Sequence, residues 1–286
     1  MIKKAVILCG GLATRFLPIS KSVPKEILPI LNRPALDYCI QDLKENGITD
    51  ILIIIGRNKE CLENYYDRNI ELEERLKASN KTAELESLEK IYSDVNITFM
   101  RQIYAKGTGY AVNMAKDFAK NEPFILIFPD EILLQKSFAK QLIEAYKVSN
   151  TSILPLREIP IQDSYKYGMI QYEKSNKGIR VLNLIEKPSP EKSPGNICYT
   201  GGGLFTPDIF DNLDTCTMHD NGEIYLTDAF YDLIKKDNLY GVITDGIRVD
   251  LGSPLGFVKG NVLAGLNDEK MKDELKEFLK DIVNNF

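Results

Sequence analysis

The feature that most constrains the fold is an alternation of short apolar runs with helix-like segments along the first half of the chain. The strand-like runs are residues 5–9, 51–55, 97–101, 124–128 and 152–156. Amphipathic helical patterns, typified by Leu36, Ile40 and Leu43 before Gly47, lie between these runs. Strands that alternate with helices favour parallel pairing, because each helix carries the chain back across the sheet. The pattern predicts an α/β fold with a Rossmann-like mixed, mostly parallel sheet and helices on both faces.

The alternation of strand-like and helix-like segments ends after residue 157. Residues 168–172, 181–185 and 199–205 are strand-like and have little helix between them, which predicts an antiparallel extension at the edge of the sheet. Residues 242–249 predict a strand pair about Asp245-Gly246, and two helices are expected between residues 254 and 286. An acidic, helix-prone stretch, residues 71–90, has the character of an insertion.

Composition excludes several classes of protein. With 36 Lys and Arg against 41 Asp and Glu, the formal net charge is -5, which argues against a nucleic-acid-coating surface. The five cysteines form no C-x-x-C pair and predict buried, unpaired thiols in a reducing compartment. No apolar run approaches the ~20 residues of a membrane helix. We expect a cytoplasmic protein that binds neither membrane nor nucleic acid.

A glycine-rich turn follows the first strand-like run. Gly10 and Gly11 would let backbone N–H groups approach a phosphate, and Arg15 and Lys25 would supply positive charge. The turn lacks the Gly-Lys-Ser/Thr of a P-loop and the recurring glycines of a dinucleotide-binding loop. Taken alone, it is equally consistent with a structural turn flanked by two solvated cations.

Several further blocks accompany this turn in a fixed order. They are Gly10–Pro18, Pro24-Lys25-Glu26, Gln102 with Lys106–Gly109, Pro129-Asp130, Tyr167-Gly168, Glu186-Lys187-Pro188, Gly222–Ala229 and Asp250-Leu251-Gly252. Together they resemble the sugar-1-phosphate nucleotidyltransferases over nearly the whole chain. The resemblance implies that UTP and glucose 1-phosphate react, with Mg²⁺, by direct in-line attack to give UDP-glucose and pyrophosphate.

The resemblance also implies roles for individual residues. Arg15, Lys25 and Lys187 would be the catalytic residues that hold departing pyrophosphate and the sugar phosphate. The implied substrate contacts are Cys9, Gly10, Gly11, Glu26, Gln102, Gly107, Asp130, Gly168, Glu186, Lys187 and Gly203. The amide of Gln102 has both a donor and an acceptor for the mixed edge of uracil.

Two aspartates complete the expected site. By resemblance, Asp130 and Asp250 would hold Mg²⁺, a hard ion that takes few protein ligands and completes its shell with water and phosphate oxygens. Asp130 also follows a predicted strand, at the end of a sheet where open α/β folds place ligands. Its neighbour Glu131 is expected to point elsewhere and to take no part.

Glu186 and Lys187 are consecutive, so a regular strand would send their side chains to opposite faces. A local irregularity is needed if both are to face the substrate. Two positions also depart from the family pattern. Ala13 stands where glycine is usual, which either restricts a positive φ or adds a methyl group near the phosphates, and Gly203 stands where arginine is usual.

These departures leave alternatives open. The chemistry could use dTTP, CTP or another sugar phosphate such as N-acetylglucosamine 1-phosphate, or the chain could be a non-catalytic protein that binds nucleotide sugars. We expect one domain over residues 1–286, with a mainly nucleotide-binding part at 1–157, a mainly sugar-phosphate part at 158–253 and C-terminal helices at 254–286. The resemblance further implies a homodimer or homotetramer.

Overall fold

The computed structural model describes residues 2–285. The strands are β1 (Lys4–Cys9), β2 (Pro29–Ile30), β3 (Arg33–Pro34), β4 (Asp50–Ile55), β5 (Asn96–Arg101), β6 (Phe124–Ile127), β7 (Glu131–Leu134), β8 (Ser152–Glu158), β9 (Gly168–Ser175), β10 (Gly178–Glu186), β11 (Ile197–Tyr199), β12 (Gly203–Phe205), β13 (Leu239–Ile243) and β14 (Ile247–Asp250). The helices are α1 (Ala35–Glu45), α2 (Glu60–Tyr66), α3 (Ile70–Ala78), α4 (Thr82–Tyr92), α5 (Gly107–Asn113), α6 (Lys116–Ala119), α7 (Phe138–Ser149), α8 (Asp208–Thr215), α9 (Phe230–Lys235), α10 (Pro254–Asn267) and α11 (Lys272–Asn285). Each of the five strand-like runs of the first half is a strand.

A ten-stranded sheet forms the centre of the molecule, in the order β11-β9-β10-β13-β8-β12-β6-β1-β4-β5. Strands β6, β1, β4 and β5 pair in parallel, as the alternation of strand and helix predicts. Among the remaining strands only β13 and β8 are parallel neighbours, and the other pairings are antiparallel. The sheet is therefore mixed and contains antiparallel strands in its second half, as predicted, but six of its ten strand pairings are antiparallel, so it is not mostly parallel.

Two predicted strand arrangements also differ from the structure. The 199–205 segment is split between β11 and β12, because Gly201 and Gly202 have φ values of 104° and 69° that interrupt an extended strand. Strand β12 then inserts between β8 and β6 at the centre of the sheet instead of extending its edge. Strands β13 and β14 exist, but they do not pair with each other: β14 pairs with β7, a strand that the sequence analysis missed.

Helices cover both faces of the sheet, as predicted. Along β1, Ala5 and Ile7 pack in a core with α1, α2, α7 and α10, whereas Val6 packs in a second core with α5, α8 and α9. The alternation follows from the two-residue period of a strand. None of the helices within residues 2–285 is long and apolar enough to span a membrane.

The acidic stretch forms the helix pair α3–α4 beside the sheet. Glu73, which is almost fully buried, accepts hydrogen bonds from Arg68 and from the Tyr92 hydroxyl, at 2.6 and 2.7 Å. These bonds hold the pKa of the Glu73 carboxyl down at about 2. The helix pair α3–α4 is therefore stabilised by this charged cluster as well as by apolar packing.

All five cysteines are unpaired, in agreement with the absence of a C-x-x-C pattern. Cys9, Cys39 and Cys198 are buried and Cys216 is partly buried, but Cys61 is exposed. The prediction of buried thiols is therefore wrong for Cys61. It lies in α2, whose apolar residue Leu62 faces the core while its neighbours face solvent.

Candidate active site

A cleft of about 420 Å³ opens where the parallel strands end. Strands β1, β5 and β6 lead directly into it, through Gly10, Gln102 and Phe128. Its lining residues are Leu8, Gly10, Gly11, Lys25, Glu26, Gln102, Ala105, Gly107, Thr108, Ala111, Phe128, Asp130, Glu223 and Tyr225. The structure thus brings together residues from five of the sequence blocks at the carboxyl edge of the sheet, where open α/β folds bind ligands.

The glycine turn lies against Gln102. A Cβ atom on Gly10 would stand 2.5 Å from the Gln102 side-chain oxygen, so only glycine allows this approach. The thiol of Cys9 is fully buried, which raises its pKa well above the usual range and leaves only the backbone of this residue to face a ligand. Ala13 has φ 50° and ψ 42°, so the alanine occupies a left-handed conformation that favours glycine.

Lys25 and Glu26 are consecutive but engage different partners. The ammonium of Lys25 lies 2.6 Å from Asp130 Oδ2, in a partly buried pair that joins the first loop to the end of β6. Glu26 turns inward and meets Lys59 Nζ at 2.8 Å, with side-chain exposures of 1% and 7%. The second oxygen of Glu26 is buried without a hydrogen-bond partner. The site therefore contains one accessible and one buried ion pair.

A second lobe of about 270 Å³ continues from the glycine turn. Its lining includes Thr14, Lys21, Arg57 and Lys59, so it is rich in cationic side chains. Arg57 and Asn58 follow β4, a segment to which the sequence analysis gave no role. The lobe is suited to an anion beside the cleft.

Pairing of β7 with β14 brings the two aspartates together. Asp250 lies opposite Glu131 in this pairing, and the Leu251 N–H donates to the Asp130 carbonyl at 2.7 Å. Asp250 Oδ1 accepts the Gly252 N–H at 2.8 Å, and a Cβ on Gly252 would stand 3.1 Å from an Arg15 guanidinium nitrogen. Arg15 is exposed and lies beside this segment.

The donor set at the aspartates fits a magnesium ion. Two carboxylates at one strand junction offer hard oxygen ligands, and Mg²⁺ is usually held by one or two carboxylates together with substrate phosphates. Within residues 2–285, no group of three or more His, Cys, Asp or Glu side chains is arranged to hold a metal by itself. A metal here would complete its shell with water and with oxygens of the substrate.

Glu131 forms a two-pronged ion pair with Arg248. Arg248 Nε lies 2.6 Å from Glu131 Oε2, and a terminal guanidinium nitrogen meets Oε1. Burial raises the pKa of the Glu131 carboxyl to about 7, against the opposing effect of Arg248. The guanidinium also lies over the Tyr167 ring, 5.5 Å from its centroid.

The predicted sugar-phosphate residues form a second cluster, at the start of β9 and the end of β10. Gly168 pairs with Glu186, and a Cβ on Gly168 would stand 3.2 Å from Glu186 Oε2. Lys187 has φ 45°, which is the irregularity needed to turn consecutive side chains to one side. Accordingly, Lys187 Nζ lies 3.6 Å from Glu186 Oε1. These three residues do not line the 420 Å³ cleft.

Gly203 has a different environment from the one expected of a substrate contact. It is buried in β12, with φ 142°, and a Cβ would stand 2.7 Å from the Ile153 carbonyl oxygen. It lines neither the cleft nor the cationic lobe. With this backbone, position 203 has no room for a side chain, because the space is filled by the neighbouring strand.

Sequence reasoning missed one wall of the cleft, which is formed by Glu223 and Tyr225. Ile224 between them exchanges backbone hydrogen bonds with the glycine loop, donating to Lys106 O and accepting from Gly109 N at 2.9 Å each. Gly107, with φ 88°, has no space for a side chain against Ile224. The block Gly222–Ala229 was the available signal, but it did not indicate which side chains face the cleft.

Comparisons with known proteins agree over the full chain. The model of the nucleotidyl transferase family matches residues 4–264. The sequence is 40% identical to UTP–glucose-1-phosphate uridylyltransferase 2 of Staphylococcus saprophyticus, covering 99% of both chains, and 38% identical to the UTP–glucose-1-phosphate uridylyltransferase of Staphylococcus haemolyticus, covering 98% of both. The fold is similar to that of a UTP-bound UGPase from Acinetobacter baumannii, with a TM-score of 0.90, 31% identity and coverage of 98% of this chain and 99% of that chain.

Proposed function

The chain belongs to the nucleotidyl transferase family, and from that premise we propose that it transfers the uridylyl group of UTP to glucose 1-phosphate. A phosphate oxygen of the sugar phosphate attacks the α-phosphorus of UTP in line. Pyrophosphate leaves from the opposite side, and the product is UDP-glucose. No covalent enzyme intermediate is needed, because the second substrate is itself the nucleophile.

The observation that carries this proposal is the cleft in which separate sequence blocks meet. Gln102 supplies an amide and Gly107 a close backbone approach for the base, while Lys25 places a cation at the Asp130 end. An amide can pair with both the carbonyl and the N–H of uracil, whereas a cation can only donate. The cationic lobe beyond the glycine turn suits the β- and γ-phosphates of a triphosphate.

The chain's own residues would act by positioning and by neutralising charge. Arg15 and Lys25 hold the departing pyrophosphate, and Lys187 holds the phosphate of the sugar. Glu186 accepts hydrogen bonds from sugar hydroxyls, and Gly168 admits the sugar beside it, since no side chain separates it from Glu186. Such charge stabilisation is the main contribution a protein makes to phosphoryl transfer.

Asp130 and Asp250 would hold Mg²⁺, which supplies charge neutralisation to the phosphate oxygens when bound. In the structure Lys25 is bound to only one oxygen of Asp130. The carboxylate therefore retains a second oxygen for another cation. This assignment predicts that Asp130→Asn lowers turnover sharply at every Mg²⁺ concentration while the fold is kept.

The test is pyrophosphate release with Mg²⁺ over UTP, dTTP, CTP, ATP and GTP, each combined with glucose, galactose or N-acetylglucosamine 1-phosphate. Turnover with UTP and glucose 1-phosphate well above all other pairs is the expected result. Higher turnover with a different nucleotide and sugar phosphate would change the proposed substrates but not the proposed reaction. Binding of UDP-glucose without turnover of any pair would instead identify a nucleotide-sugar-binding protein.

A second experiment separates the two halves of the site. Lys187→Ala is expected to raise the KM for glucose 1-phosphate far more than the KM for UTP. Lys177→Ala, an exposed lysine in the turn between β9 and β10, is the matched control and should change neither. Equal effects of Lys187→Ala on both KM values would contradict the assignment.

The oligomeric state and the absence of nucleic-acid binding remain predictions. We propose a homodimer or homotetramer, as the family resemblance implies. Light scattering of the purified chain at several concentrations measures the assembly directly, and a monomeric mass at all concentrations would contradict it.

A further inference from the structure

Arg248 is the residue through which the two halves of the site touch. It lies on β14, two residues before Asp250, and its side chain is only 14% exposed. One edge of the guanidinium pairs with both oxygens of Glu131. Its face lies over the ring of Tyr167, and Nη1 lies 3.4 Å from the Tyr167 hydroxyl.

The Glu131 contact leads to the nucleotide side. Glu131 directly follows Asp130 in the chain and lies opposite Asp250 in the β7–β14 pairing. The side chain that Arg248 holds therefore belongs to a backbone position next to both aspartates. A fork-shaped pair of bonds fixes its orientation more closely than a single contact would.

The Tyr167 contact leads to the sugar-phosphate side. The Tyr167 carbonyl accepts the N–H of Lys187 at 3.0 Å, and the next residue, Gly168, is paired with Glu186. Lys187 adopts its left-handed conformation at this point. Tyr167 is thus joined through the backbone to the turn that carries Glu186 and Lys187.

The pairing of β7 with β14 does not itself require Arg248. Four residue pairs in register, from Ile247 opposite Leu134 to Asp250 opposite Glu131, already join these strands through the backbone. A largely buried ion pair is in general no more stabilising than well-packed apolar side chains of the same size. The particular consequence of this arginine is the connection it makes to Tyr167.

We propose that Arg248 is a positioning residue that sets the distance and orientation of the Glu186–Lys187 turn relative to the Asp130–Asp250 pair. It lines neither the 420 Å³ cleft nor the cationic lobe. Through Glu131 and Tyr167 it holds the sugar-phosphate cluster in a fixed position relative to the nucleotide cleft. This inference rests on the proposed function, because it assumes that the second cluster binds the sugar phosphate of the product.

The test compares ligands that span both clusters with ligands that occupy only one. Arg248→Met keeps an unbranched side chain out to about the position of Nε but loses the guanidinium and its charge. Binding of UDP-glucose and of UMP is measured by calorimetry without turnover. We expect UDP-glucose affinity to fall at least tenfold and UMP affinity to change by less than twofold. Tyr167→Leu, which leaves the Glu131 pair intact, should give the same separation and provides a second route if Arg248→Met folds poorly.

Arg180→Met is the matched control, since Arg180 is an ion-paired arginine of β10 bound to Glu173 and Asp237. It should leave both affinities unchanged. Arg248→Lys should recover only part of the UDP-glucose affinity, because an ammonium lacks the fork and stacks poorly on an aromatic ring. Combining Arg248→Met with Lys187→Ala should weaken UDP-glucose binding by less than the product of the single effects.

Equal losses of UMP and UDP-glucose affinity, or no loss of either in a folded Arg248→Met variant, would overturn the positioning role. These outcomes do not depend on turnover. Failure of the unsubstituted protein to turn over any substrate pair would count against the proposed activity, while the affinity comparison would still decide the role of Arg248. Failure of the unsubstituted protein to bind UDP-glucose would overturn both.

Discussion

Replacing Ala13 by glycine should stabilise the protein. The left-handed conformation of Ala13, φ 50° and ψ 42°, brings its Cβ close to the following carbonyl oxygen. For an L-residue this costs roughly 1–2 kcal/mol, and glycine has no such cost. Glycine in turn makes the unfolded chain more flexible, which lowers stability by roughly 0.4–1 kcal/mol. The net expectation is a gain of about 0.5–1 kcal/mol.

The assay is thermal unfolding and urea unfolding of Ala13→Gly at neutral pH, each followed by circular dichroism. A gain of this size should raise the melting temperature by about 1–3 °C in a chain of this length. Ala83→Gly is the matched control, because Ala83 is an exposed residue within helix α4 with ordinary helical geometry. There the same replacement should lower stability by about 1 kcal/mol.

The two variants should therefore move in opposite directions. If Ala13→Gly lowered the unfolding midpoint as Ala83→Gly does, backbone strain at position 13 would not be the dominant effect. Contacts of the methyl group would then outweigh the conformational cost. A shift of equal size and sign in both proteins would refute the reasoning.

Three further predictions follow from single contacts. Lys59→Met should cost about 3–5 kcal/mol of unfolding free energy in denaturant titrations, because it leaves a buried Glu26 carboxylate unpaired, and adding Glu26→Gln should recover most of the loss. Gly10→Ala should raise the KM for UTP at unchanged melting temperature, because the new Cβ displaces the Gln102 amide; an unchanged KM would contradict that contact. The lowered pKa of Glu73, about 2, means that its stabilising contribution is complete above the ordinary carboxyl pKa and is lost as the pH falls towards 2. The difference in melting temperature between wild type and Glu73→Gln should therefore shrink from pH 7 to pH 3, and a constant difference would count against it.

The elements that the sequence predicted best are those with a strong internal period. Residues 5–9 and 51–55 are apolar throughout, as expected of strands covered on both faces, and α1 carries its apolar residues on one side. Strand β7 was missed because its four residues follow a turn directly and begin with Glu131. The β12 position could not be read from its sequence either, since a glycine and two apolar residues specify burial but not which strands lie on each side.

In the candidate site, too, some features could be predicted from the sequence and others could not. Ordered sequence blocks indicated Gly10, Lys25, Gln102 and Asp130, and the structure brings these four to one cleft. The partners of the charged residues were not predictable, because the pairing of Glu131 with Arg248 depends on a strand pairing 117 positions apart in sequence. The chemistry of a side chain can be read from its residue type, whereas the distances between side chains depend on how the strands pair.

The central place of β12 has a consequence for the order in which the chain can fold during synthesis. Strands β1, β4, β5 and β6 have all emerged by residue 127 and can pair with one another. Strand β8 finds its neighbours only among β11, β12 and β13, which begin at residue 197. For about forty residues of translation after it emerges, β8 is an apolar strand with no native partner on either edge. The ribosome-bound nascent chain therefore passes through a stage at which the molecule is most exposed to aggregation and to chaperone capture.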